Sequence, residues 1–193
     1  MNPKSIAFVI MMAALGNVLS LIPIGLTRVG QVGFDFSHIA TFIVAIYGGP
    51  FLGFFVGLTG GITAGIYFGP MGWLSWLGLV GLPVGKSLTG LATGAIFRLL
   101  KINKRTHASL QTIPAVLIGF VPEFLFTAFF FLFLVPQVLG WLNVPLLVSI
   151  EVKAWGEISI MSILMAALIG NNGFRTFMQS FFGSEKQNKS TTN

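Results

Sequence analysis

The sequence predicts an all-α integral membrane protein of six transmembrane helices, with both termini in the cytoplasm. Three observations carry that expectation. Hydrophobic residues make up 54% of the 193 and charged ones only 8%, whereas a soluble domain has roughly a quarter charged. Polar surface is therefore too scarce to coat a globule in water. The apolar residues fall into six runs separated by polar or Gly-Pro punctuation, and mean hydropathy is +0.88. Finally, the basic residues gather in alternate connectors, as they do in membrane proteins of fixed orientation.

The first span is expected at about 5–26. It is too weakly basic at its start for a signal peptide, with Lys4 alone, and has no small-x-small cleavage site before Arg28. The segment TRVGQVGFD, 27–35, is polar and glycine-punctuated, hence a loop. A shorter run over about 36–47 ends at Gly48-Gly49-Pro50, a strong turn signal. The third span, about 51–69, carries Gly53, Gly57, Gly61, Gly65 and Gly69 at intervals of four. Glycine is a poor helix former in water, about 1 kcal/mol worse than alanine. In a bilayer, however, helices associate where small residues let backbones approach, so the row reads as a packing seam, with direct ligand contact by a glycine backbone as the alternative.

After GPMGWLSWLG, where Trp73 and Trp76 suit an interfacial belt, a fourth span is expected over about 82–100, with Pro83 in its first turn. RLLKINKR, 98–105, is a basic connector. The fifth span is about 112–135 and is interrupted by Pro122. The segment 136–150 is apolar but broken by Pro136, Gly140 and Pro145, so it reads as an interfacial or re-entrant loop. The sixth span is about 151–170, ended by Asn171-Asn172-Gly173. Residues 1–175 then form one transmembrane domain, and 176–193 a cytoplasmic, mostly disordered tail.

Six crossings put Lys4, Arg98, Lys101, Lys104, Arg105, Arg175, Lys186 and Lys189 on the side of the termini, leaving Arg28, Lys86 and Lys153 elsewhere. The excess of basic residues places the termini in the cytoplasm. It also accounts for a pI near 10.1 without a nucleic-acid partner.

Ionisable groups within the spans each cost about 2.5–3.5 kcal/mol at a helix centre, so each needs a partner or a function. Lys86 is expected about 5 Å below the outer face and Glu157 about 9 Å below it, at 1.5 Å per residue. Glu123 falls near the middle of the fifth span. Lys153 and Glu157, four apart, share a helix face. Asp35 and His38 flank the start of the second span, with Arg28 in the loop before it. Trp73, Trp76, Trp141 and Trp155 lie in the same outer half. A polar cluster with aromatic walls is what capture of a small molecule needs. Plainer roles stand beside this one: a structural Lys86–Glu157 ion pair, Glu123 capping backbone groups freed by Pro122, His38 as an interfacial hydrogen-bonder, and the tryptophans as belt anchors.

No cysteine is present, so thiolate chemistry and disulfides are excluded. No H-E-x-x-H, G-x-S-x-G or phosphate-loop pattern occurs. The expectation is a protein with no catalytic centre, no metal site and no cofactor, and with no means of hydrolysing ATP itself.

The segments AALGNVLSLIPI (13–24), GFDFSHIATFIVAIYGGPFLGFFVG (33–57) and LPVGKSLTGLATG (82–94) resemble the substrate-binding S component of energy-coupling factor (ECF) vitamin transporters, over essentially residues 4–175. The first two helices look most like the riboflavin-type subgroup. The resemblance implies a compact six-helix bundle that captures a vitamin at the outer side. It also implies a membrane T component and two cytoplasmic ATPases as partners that drive release inside. Ligand contacts in that family arise in regions that here hold Arg28, Asp35, Trp73, Lys86, Trp155 and Glu157, and the charge argument adds Glu123. Docking on the T component uses small residues four apart on the first helix. Here Gly16 and Ser20 alone keep that spacing, and Ala7, Ala13, Ala14 and Gly16 are the expected docking positions. The alternatives are a self-sufficient secondary transporter or channel with Glu123 as its ion or proton site, an intramembrane enzyme, and an assembly subunit without a ligand.

Overall fold

The computed structural model describes residues 3–26 and 35–182. The described chain is helical throughout, without strands: α1 Pro3–Leu26, α2 His38–Gly48, α3 Pro50–Gly60, α4 Ile62–Phe68, α5 Ser75–Leu99, α6 Ala108–Phe129, α7 Val135–Leu139, α8 Val144–Gly170 and α9 Asn172–Phe182. A π-helical turn, Phe130–Leu134, joins α6 to α7. Among the described residues, five stretches are long and apolar enough to cross a membrane: Pro3–Leu21, Pro50–Phe68, Ser75–Leu99, Ala108–Leu139 and Val144–Gly170.

The expected second span is α2. Its 11 residues reach only about 16 Å, against a hydrocarbon core of about 30 Å. It tolerates being short because it faces protein rather than lipid: Ala40 to Ile46 are all buried. The chain then reverses at Gly49, whose φ of +94° is a conformation glycine adopts without strain, and Pro50 opens α3.

The glycine row packs on α5. A Cβ on Gly53 would lie 2.6 Å from the Gly90 carbonyl oxygen, and one on Gly57 would collide with the Lys86 carbonyl. The backbones of α3 and α5 thus run in direct contact, which is the close-packing seam expected of small residues between membrane helices. Farther along, Gly61 and Gly65 pack on Pro83.

Several boundaries differ from expectation. The expected fourth span starts earlier, at Ser75, so Pro83 lies inside α5; a membrane helix tolerates such a proline where neighbouring helices cover the freed backbone. Much of the segment read as a re-entrant loop, 136–150, is helical, because Asn143 caps α8 by accepting from the Leu146 N–H at 2.9 Å. The tail expected to be disordered from 176 is helical as far as Phe182, where α9 turns Met178 fully inward. Ser5 in α1 donates to the Phe181 carbonyl at 2.6 Å, and Phe8 packs against Phe181 and Phe182. Both ends of the described chain therefore meet on one face of the bundle.

Two apolar clusters hold the molecule together. One joins α1, α2, α6, α8 and α9 around Phe42, Val116, Met161 and Met165. The other, at the opposite end, is built on Leu74, Phe130, Phe131, Val135 and Leu147.

Candidate functional site

Between those clusters lies a cavity with about 870 Å³ of space between atoms, its open mouth included. Its apolar wall includes Phe68, Trp73, Leu82, Phe120 and Phe131, and its polar wall consists of Asp35, His38, Lys86, Glu123, Thr127, Glu151, Lys153 and Glu157. The chain has only five acidic residues, and four of them, Asp35, Glu123, Glu151 and Glu157, line this space.

The polar wall forms two groups. In the first, the Lys86 ammonium donates to Asp35 Oδ2 and Ser37 Oγ. Asp35 Oδ1 also accepts from the Ser20 hydroxyl at 3.2 Å and from the Ser37 N–H at 2.9 Å. The Asp35 N–H donates to Glu157 Oε1 at 2.7 Å, and Glu157 Oε2 pairs with Lys153 at 3.2 Å. Burial alone would push the Asp35 carboxyl up; the Lys86 and His38 charges and the hydrogen bonds from Lys86 and the Ser37 N–H outweigh it and hold the group below the usual carboxylate range. In the second group, Glu123 accepts from the Thr89 hydroxyl, and His38 Nε2 lies 3.4 Å from Glu123 Oε1. Glu151 stands close enough to Glu123 for the two to repel.

The alternative of a structural Lys86–Glu157 pair does not form; Lys86 pairs with Asp35 and Glu157 with Lys153. Glu123 bonds to side chains of α2 and α5 rather than capping the backbone freed by Pro122. Depth is also corrected. Lys86 is eleven residues into α5 and Glu157 thirteen into α8, about 16 and 20 Å along their axes. Both lie near mid-helix instead of 5 and 9 Å below the outer face, because both helices start earlier than the sequence suggested.

Asp35, Trp73, Lys86, Glu123 and Glu157 come together around one cavity. Trp155 stands behind it, edge-on to Phe120 with ring centroids 5.2 Å apart. Trp73 packs against Phe131 and Trp141, while Trp76 is 72% exposed, as a belt residue would be. Arg28 lies outside the described residues. Among the docking positions, Ala7 and Ala14 are exposed and Ala13 is half-buried. Gly16 is taken up inside the bundle, where a Cβ would meet the Gly60 Cα at 3.3 Å.

Sequence reasoning missed Glu151, which stood at the expected edge of a span and is buried seven residues into α8. The signal was available as a helical stripe: Ile150, Glu151, Ala154, Glu157 and Ile158 recur at intervals of three and four and all line the cavity. Among the described residues, no group of three or more histidine or acidic side chains converges to hold a metal ion.

A family model described as "ECF transporter, substrate-specific component" matches residues 4–182. No curated protein and no solved structure matches the chain.

Proposed function

Since the chain belongs to the family of substrate-specific components of ECF transporters, and so is a transporter subunit rather than an enzyme, we propose that its cavity captures a water-soluble vitamin or related micronutrient at the outer face of the cell membrane. A T component and two cytoplasmic ATPases then drive its release inward. In this reading the bundle crosses the membrane six times with α2 as the short second crossing, the termini are cytoplasmic, and the mouth of the cavity faces outward. The basic connectors support this orientation.

One observation carries the reading: charged side chains gather at mid-helix around open space. Burying charge in a membrane is costly, and a purely structural network would close on itself. Here the charges surround a hollow with aromatic walls on which a ring can stack. The opening helices favour a riboflavin-type ligand, which makes riboflavin the first compound to test.

The test is thermal stabilisation of the purified chain by a panel of vitamins. A ligand at one hundred times its Kd adds about 2.7 kcal/mol to a folded state that alone binds it, so the true ligand gives a clear rise in melting temperature. In liposomes the chain alone should take up nothing; uptake should require the T component and ATPases. Gradient-driven uptake by the chain alone would replace this reading with a secondary carrier that uses Glu123.

A further inference from the structure

The geometry points to a ligand that brings its own positive charge: a small, ring-bearing organic cation whose charged nitrogen sits between Glu123 and Glu151. This rests on the capture reading above and deepens it, replacing the riboflavin-type ligand with a cation.

The cavity holds more acidic than lysine side chains. Four carboxylates line the cavity against two ammonium groups, Lys86 and Lys153. Lys86 is committed to Asp35, and Lys153 to Glu157. Glu123 and Glu151 are left with no lysine or arginine partner among the described residues. The segment 27–34 contributes one basic residue, Arg28, and no acidic one. His38 stands 3.4 Å from Glu123, so Glu151 is the cavity carboxylate left without a basic partner among the described residues.

Hydrogen bonding gives a separate indication. Glu151 is 9% exposed, and its Oε1 has no hydrogen-bond partner; His38 is 6% exposed, and its Nδ1 has none either. Both residues line the cavity. A buried polar atom without a partner costs about 1–3 kcal/mol, and an unpaired charge costs more. A ligand carrying N–H donors and a positive charge removes both penalties. The carboxylates do not converge on a metal position, so a bare divalent cation is a poorer fit than an organic one. The rings of Phe68, Trp73, Phe120 and Phe131 in the same cavity favour a cation through their π faces.

The test is equilibrium binding to the purified full chain with six probes: thiamine and pyridoxamine as cations, riboflavin and pyridoxine as neutral rings, nicotinate and pantothenate as anions. A cation should bind tightest, at least tenfold ahead of every neutral or anionic probe. Glu151→Gln and Glu123→Gln should each weaken that cation tenfold or more while leaving the elution profile of the protein unchanged. If either variant fails to fold, the ranking on the unaltered chain decides alone. A neutral or anionic probe binding tightest overturns the charge assignment and leaves capture standing. A cation whose affinity is unmoved by both folded variants overturns it as well. If no probe binds, and protein from its native membrane releases no small molecule on denaturation, the capture reading fails and this inference with it.

Discussion

Asp35 ties the site together at the scale of single residues. Its side chain accepts from Ser20 of α1 and Lys86 of α5, and its N–H donates to Glu157 of α8. Replacing Lys86 by alanine leaves that half-buried carboxylate without its counter-charge, which should cost about 3 kcal/mol, read as a lowered melting temperature in detergent together with loss of ligand binding. Glu157→Gln is milder. The amide oxygen still accepts from the Asp35 N–H and only the Lys153 pairing is lost, so about 1 kcal/mol is expected in the same assay. Lys86, Asp35, Glu123 and Glu157 could be found from the sequence because a charge in an apolar span stands out. Their pairing could not: which lysine meets which carboxylate depends on where the helices start, and Ser75 and Asn143 mark those starts only weakly. Glu151 was hidden for the same reason.

At the scale of elements, the α3–α5 contact places Lys86. Gly57 lies against the Lys86 carbonyl, so Gly57→Ala must push α5 away and carry the ammonium off Asp35. Overpacking of this kind costs about 1–3 kcal/mol; both melting temperature and ligand affinity should fall. Gly156 of α8 is the control, because a Cβ there meets nothing within 4 Å. Gly156→Ala should leave affinity unchanged and stability equal or slightly higher, by up to about 1 kcal/mol. The helices themselves were readable as apolar runs. The places where reading failed share one cause: proline and glycine end helices in water, but in this bundle neighbouring helices cover the backbone that they expose. Pro83, Pro114 and Pro122 all lie inside helices, and α9 was missed because its apolar positions are spaced for a partner surface that only folding creates.

At the scale of the whole molecule, α2 touches both working ends. Its first residues, with Asp35 and Ser37 just before them, form part of the cavity wall. Its last turn receives Asn103, which donates to the Ile46 carbonyl at 2.9 Å, while Tyr47 packs edge-on against Phe174 of α9. Asn103→Ala alters nothing in the cavity. It should nonetheless change the ligand dissociation rate by about 2–30-fold, the range set by couplings of 0.5–2 kcal/mol, as followed by stopped-flow or surface-binding kinetics. An unchanged rate would mean that the two ends are independent. A rod of three turns, wedged between heavier neighbours and too short to bend, would behave as a pushrod: a nudge on the basic connector or the final helix would arrive some 16 Å away as a shift of the cavity wall.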